Sequence, residues 1–210
     1  MLRLSLTRSG ALGLAVAYER IARALRETQD APPMEDQSIR RASVALVFRD
    51  KDGPWPDLLM IKRAEFEGDP WSGHMAFPGG GVEAGENVVE AALRETREEL
   101  ALELGSARAL GALYPVVSPR IRRDHPGIHV QPLVFWLDEV PALRPNHEVA
   151  EVHWFGLERF LEDEGRATFP FRWKGTQLKL PCHRLDGRLI WGMSLSMIDD
   201  LVGRLRRLDP

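Results

Sequence analysis

Apolar residues recur at helical spacing near both ends of this chain, and in short, turn-bounded runs between them. Leu14, Tyr18, Ile21 and Leu25 share one face, which predicts an amphipathic helix over residues 11 to 28. Met197, Leu201, Leu205 and Leu208 do the same in MSLSMIDDLVGRLRRL, predicting a C-terminal helix over 193–208. Between them, RRASVALVFRD (40–50) and PDLLMIKRA (56–64) predict two strands. The intervening DKDGPWP carries the turn chemistry of a hairpin. EFEGDPWSGH (65–74) predicts a loop, and HMAFPGG (74–80) begins as a short strand. Residues 87–102 hold no Gly or Pro and many Ala, Leu, Glu and Arg residues, a helical composition. Further strands are predicted at 107–117, 128–138 and 148–156, then a short helix over 157–165 ending at Gly165. FRWKGTQLKLP (171–181) and GRLIWG (187–192) predict two more strands. Strands that follow one another, with few helices, predict an α+β fold on a mixed sheet rather than a doubly wound one. QDAPPMEDQS (29–38) is a linker by composition. It separates residues 1–38, a helix and linker, from a main domain over 39–210.

Composition narrows the classes. With 210 residues, 44% of them apolar and 28% charged, the chain fits one domain with a short arm and can bury a sizeable core. A net charge of −3 does not suggest a polyanion binder, so no nucleic-acid partner is expected. No run approaches the roughly 20 apolar residues of a membrane helix, so no membrane partner is expected either. Cys182 is the single cysteine, so no internal disulfide can form, which points to a reducing, cytoplasmic setting. The Arg- and Ser-containing N-terminus faintly resembles a transit peptide, which keeps an organelle as the alternative. The oligomeric state stays open, a homodimer included.

Candidate chemistry concentrates in FPGGGVEAGENVVEAALRETREELAL (77–102). On a helix turning about 100° per residue, Val89, Ala92, Leu93, Thr96 and Leu100 form the core stripe. Glu95, Glu98 and Glu99 share an arc of about 100° on another side. Like charges at i,i+3 and i,i+4 destabilise a helix by roughly 0.2–0.5 kcal/mol per pair. An acidic surface compensated by arginine, through Glu90–Arg94 and Arg94–Glu98, is the plain explanation. The spacing argues for more. Five residues separate Gly80 from Glu86 and seven separate Glu86 from Arg94-Glu95; Glu98-Glu99 follow two positions later.

That pattern, G-x5-E-x7-R-E-x-x-E-E, resembles the signature box of the Nudix hydrolases. Thr96 stands where the pattern has an aliphatic residue, and Ala101 where it has glycine. Since Ala is a good helix former, Ala101 is expected to extend the helix. The resemblance implies a mixed β-sheet between helices (α/β/α) and hydrolysis of a nucleoside diphosphate linked to another group. Oxygen-only ligands on one helix suit Mg2+ or Mn2+, with Glu95, Glu98 and Glu99 as the metal ligands. Gly79 and Gly80 allow close backbone approach to ions or phosphates. Glu86 is cast as a structural acid that orients Arg94. Glu98 is one candidate general base. Family members often take a Glu from a later loop, where NHEVAEVHW offers Glu148, the second choice, and Glu151.

The segment LLMIKRAEFEGDPWSGHMAFPGG (58–80) resembles the stretch preceding the box in the coenzyme A pyrophosphatase branch, through Leu58, Leu59, Arg63, Gly73, Phe77, Pro78, Gly79 and Gly80. Met60-Ile61 replace the usual threonine there. A second phosphate could be met by Lys62, Arg63, Arg120, Arg122 and Arg123, the last three in the basic loop VSPRIRRDHPG. Trp71 and Trp136 are read as packing residues rather than base-stacking ones. Cys182-His183 lacks the orienting partner of a nucleophile. The expected partner is a small nucleotide diphosphate, coenzyme A or an acyl derivative. The alternatives are ADP-ribose or another nucleotide, and, in a different class, a non-catalytic nucleotide sensor.

Overall fold

The computed structural model describes residues 8–26, 40–51, 53–67, 71–118, 127–173 and 175–208, so the linker predicted at 29–38 lies outside the described residues. β1 (Arg40–Arg49) and β2 (Asp57–Arg63) form the predicted hairpin, with Phe48 opposite Leu58 and Arg49 opposite Asp57. Both strands are apolar through their middle because both faces of the sheet are covered. Leu46 and Phe48 of β1, with Leu58 and Met60 of β2, enter one core. Ala45 and Val47, with Leu59 and Ile61, enter the other. The first core is closed by α1 (Arg8–Ala24), through Ile21, and by the C-terminal helix Gly192–Leu208, through Ile198, Leu201 and Leu205. α2 (Val88–Leu100) closes the second with Ala92 and Leu100. The α/β/α sandwich is therefore as predicted.

What positions the candidate site is a splay in this sheet. β1 and β2 pair only near their hairpin, and two short strands fill the gap that opens between them. β3 (Met75–Ala76) pairs with β2, Ile61 opposite Ala76. β4 (Gly79–Gly81) pairs with β1, Ser43 opposite Gly80. The crossing is fixed by Ala45 N–H donating to the Pro78 carbonyl at 2.8 Å. A strand made wholly of glycine thus lies against the side of α2.

The remaining strands depart from the sequence reading in places. The strand predicted over 107–117 is two, β5 (Arg108–Ala112) and β6 (Val116–Val117). Both run antiparallel to β7 (Ile128–Leu137), which is parallel to β1; the β5 register shifts between Ala109 and Gly111. β8 (Val149–Gly156) adds to the outer edge of β2, and α3 spans only Leu157–Leu161. Residues 171–181 are not one strand. They straddle the hairpin of β9 (Arg166–Trp173) and β10 (Thr176–Leu185), where Gly175 turns the chain at φ 84. β11 (Arg188–Trp191) completes this separate three-stranded sheet, after which the C-terminal helix is α4.

Ala101 also corrects an expectation. It does not extend α2; it caps it, at φ 53 and ψ 31, with its N–H donating to the Arg97 carbonyl. The Glu99 and Leu100 carbonyls accept from Asn146 and Arg144 N–H, both at 2.8 Å, so the helix cannot continue. A left-handed residue with a Cβ is strained by about 1–2 kcal/mol, partly offset by the greater entropy loss of glycine. Ala101→Gly is therefore expected to stabilise the fold by about 0.5–1 kcal/mol. Thermal unfolding should show a rise of about 2 °C; a fall would mean that the left-handed cap carries no strain.

Candidate active site

The acidic helix begins at Asn87, whose Oδ1 accepts from Val89 and Glu90 N–H at 2.9 and 3.0 Å. Glu90 reciprocates by accepting from Asn87 N–H at 2.8 Å, completing a capping box. Glu90 is thus engaged at the cap rather than paired with Arg94 as expected. The buried stripe is also shifted from the one the wheel indicated. Ala92, Thr96 and Leu100 are buried and Leu93 is partly so, but Val89 is 44% exposed. Ala91 and Glu99 are buried instead, because β4 covers the acidic side of the helix. Thr96 fits its buried place by donating its hydroxyl to the Ala92 carbonyl at 2.7 Å.

The three glutamates sit in three environments. Glu99 is 1% exposed and accepts from Gly79 N–H at 2.9 Å. Burial pushes its carboxyl up to about 8; the Gly79 N–H opposes this and the charge of Glu95 adds to it. Glu95 is half-buried, and burial raises it too, against a hydrogen bond from Arg94. Glu98 lies at the surface, 49% exposed along its side chain. Arg94 ties them to the preceding loop. Its guanidinium donates to Glu86 at 2.9 and 3.2 Å, to Glu95 at 2.9 Å, to Glu98 at 3.2 Å and to the Gly81 carbonyl at 2.9 Å. The Arg94 contact, then the Glu83 N–H, hold Glu86 below the usual carboxylate range.

Glycine is required opposite these groups. Gly79 has φ 148, and a Cβ there would stand 2.3 Å from the Ser43 carbonyl oxygen. At Gly80 a Cβ would meet Glu95 Oε1 at 2.3 Å. The loop before β8 completes the group. Asn146, bound to the end of α2, accepts Glu148 N–H on Oδ1 at 2.8 Å, and the Glu148 carbonyl accepts from Ala64 N–H at 2.7 Å. Between Lys62 and Arg63 the β2–β8 register skips Ala150, a bulge that re-aims the chain beside the site. Glu148 stands close enough for its charge to raise both Glu95 and Glu99, and Arg63 close enough to lower Glu99.

So the fold gathers Arg63, Gly79, Gly80, Glu95, Glu99 and Glu148, with Glu98 beside them on the rim and Glu86 and Arg94 as the clamp. Arg120, Arg122 and Arg123 lie outside the described residues. Glu151 is not available as a base: Arg188, His153 and Lys62 hydrogen-bond it and hold it at about 2. That contact also engages Lys62, which was a candidate for phosphate. Trp136 packs edge-on against Tyr18 in the core. Cys182 and His183 are buried, with His183 Nδ1 2.7 Å from the Glu164 carbonyl oxygen, a structural contact. Sequence reasoning missed Asn146, whose only signal was its place before His147 and Glu148, and the capping pair Asn87 and Glu90, whose Asn-x-x-Glu signature was legible.

Among the described residues no three His, Cys, Asp or Glu side chains are gathered tightly enough to enclose a metal ion. Glu95 and Glu98 are instead turned to Arg94. The donor set still fits a hard cation: it is all oxygen, and burial disfavours the charged forms of Glu95 and Glu99, which a bound cation would favour. The missing Cβ at Gly80 keeps the backbone against the Glu95 carboxylate.

Residues 39–173 match the family model described as NUDIX domain. An uncharacterized protein of Schizosaccharomyces pombe is 33% identical over 158 residues, covering 66% of this chain but only 46% of that protein. An uncharacterized Nudix hydrolase of Cronobacter sakazakii, NudL, is 28% identical over 172 residues, covering 81% of this chain and 86% of the relative. In fold, a MutT/nudix family protein from Enterococcus faecalis covers 97% of this chain and 75% of its own at a TM-score of 0.54 and 18% identity. The NUDIX domain of Shewanella oneidensis NrtR, solved with ADP ribose, covers 85% of this chain and 97% of its own at 0.53 and 16%.

Proposed function

This chain belongs to the Nudix family of pyrophosphohydrolases, and we propose that it hydrolyses the diphosphate linkage of coenzyme A or an acyl-coenzyme A. Nudix hydrolases generally use divalent metal ions, and Mg2+ or Mn2+ suits the oxygen donors here. Glu95, Glu98 and Glu99 would hold it. When bound, it supplies positive charge that draws electron density from the phosphoryl oxygens and acidifies an attacking water. Arg94 keeps the carboxylates oriented, and Glu86 keeps Arg94 in place. Gly79 and Gly80 let the β4 backbone lie close against these carboxylates, where it could approach the ion or a phosphate. Glu148, half-buried on a pinned turn near Glu95 and Glu99, is the residue we assign to take the proton from the attacking water, with Glu98 as the other candidate. Arg63 would meet a phosphoryl oxygen by charge.

The observation that carries the reaction is geometric: Glu95 and Glu99 of α2 lie against the glycine strand β4, with Glu98 on the rim and Glu148 beside them. The substrate rests on the likeness of residues 58–80 to the coenzyme A branch. Incubation with Mg2+ and coenzyme A should release 4′-phosphopantetheine and 3′,5′-ADP. Failure on coenzyme A and every acyl-coenzyme A, with cleavage of ADP-ribose or a dinucleoside polyphosphate in the same panel, would transfer the reaction to another substrate. Failure on the whole panel, with Mg2+ and with Mn2+, would favour a non-catalytic nucleotide sensor.

A further inference from the structure

An open aromatic pair stands on the rim of this site. Phe66 is 45% exposed. Its ring lies 6.2 Å from that of His147, centroid to centroid, with the planes 85° apart. Both residues are tethered to the catalytic group. His147 directly precedes Glu148, on the turn whose Asn146 N–H is bound to the Glu99 carbonyl. Phe66 N–H donates to Ser72 Oγ at 2.6 Å, that hydroxyl donates to the Ala64 carbonyl at 3.3 Å, and Ala64 N–H donates to the Glu148 carbonyl. These bonds tie Phe66 to Ser72 and to the Glu148 turn, and the ring is held out beside them.

We infer that Phe66 is the stacking platform for the substrate's nucleobase, with His147 flanking it. This rests on the diphosphate reading of the site, which requires a nucleoside within reach of the carboxylates. The surroundings favour a base over an acyl or pantetheine arm. Such an arm gains most from an enclosed apolar groove, whereas Phe66 is open to water and flanked by exposed Glu65 and Glu67. A base needs a flat apolar face on one side and polar company at its edge, which are what the ring and the His147 nitrogens provide. Stacking tolerates any base, so the pair supplies affinity for a nucleoside rather than selection among bases.

The test compares AMP with ribose 5-phosphate, which lacks the base, by calorimetric titration of the full chain. Wild type should bind AMP about tenfold more tightly or better. Phe66→Ala should bring the two within about twofold, while Phe66→Trp keeps the preference. For an adenine-containing diphosphate, Phe66→Ala should raise KM about tenfold with a much smaller effect on kcat, the pattern of lost uniform binding. An AMP preference that survives Phe66→Ala overturns the inference. An equal loss for AMP and ribose 5-phosphate overturns it as well, since it marks collapse of the loop. A chain that binds AMP through Phe66 and yet cleaves no diphosphate would refute the proposed reaction and uphold the stacking role.

Discussion

Replacing Glu99 by glutamine should lower kcat for diphosphate hydrolysis about 10^3-fold, some 4 kcal/mol of transition-state stabilisation, without lowering the melting temperature of the metal-free protein. The two halves of this expectation have separate causes. Activity needs the charge, because a divalent cation held by carboxylates loses an anionic ligand when one becomes an amide. Stability does not need it. Glu99 is buried and its carboxyl is pushed up to about 8, so the metal-free protein carries it protonated at neutral pH. A glutamine oxygen still accepts the Gly79 N–H. A carboxyl whose folded pKa lies above its unfolded value favours the folded state at low pH. Its contribution fades as pH rises through the range from about 4.5 to about 8. Metal-free wild type should therefore lose stability across that window, and Glu99→Gln should flatten the loss. Thermal scans at several pH values in chelator check the second half, and steady-state rates in Mg2+ check the first. An unchanged rate would remove Glu99 from the mechanism.

Gly79→Ala is expected to have the largest effect on the fold near the site, whereas Gly80→Ala should spare the fold and damage the reaction. At Gly79 the new Cβ would lie 2.3 Å from a backbone oxygen, Ser43 O, and 2.6 Å from Val44 Cα, neither of which can swing aside. The φ of 148 adds strain of its own. A loss of about 3 kcal/mol or more follows from the two effects together, a fall of roughly 6–12 °C in melting temperature. At Gly80 the clash is with the end of the Glu95 side chain, which can rotate away. That variant should melt within a few degrees of wild type and still lose most of its activity, because the carboxylate has been displaced. Equal melting temperatures for the two variants would contradict the close approach of β4 to β1.

Much of this site was legible in the sequence because its logic is local. Glycine runs, helical spacing and crowded like charges are properties of adjacent residues; they drew attention to Glu95, Glu98 and Glu99, and the resemblance to the Nudix box added Glu86 and Arg94 as candidates. What the wheel could not show is which side of α2 would be covered. That depends on β4 crossing beneath it, a contact between β1 and residues 79–81. For this reason Val89 stands in solvent and Glu99 is buried, against the expected stripe. Glu148 was set ahead of Glu151 only by its place directly before the strand. The bulge at Ala150 and the partners of Glu151, among them Arg188 on β11, separate their roles. Ala101 misled because helix propensity is a weak preference, and here the loop at 144–146 takes the last carbonyls. The β9–β10 hairpin was missed for a different reason: Gly175 is a turn signal inside a run that otherwise reads as one strand.

The central claim is that Glu95, Glu98 and Glu99 hold the divalent cation. It is tested most directly by titrating Mn2+ into the metal-free chain and following free Mn2+ by electron paramagnetic resonance, for wild type and for Glu99→Gln. The account predicts saturable binding in wild type that tightens as pH is raised from 6 to 8, since the buried carboxyl must release its proton. Glu99→Gln should weaken that binding at least tenfold and flatten its pH dependence. Equal affinity in the two proteins, with the same pH profile, would contradict it.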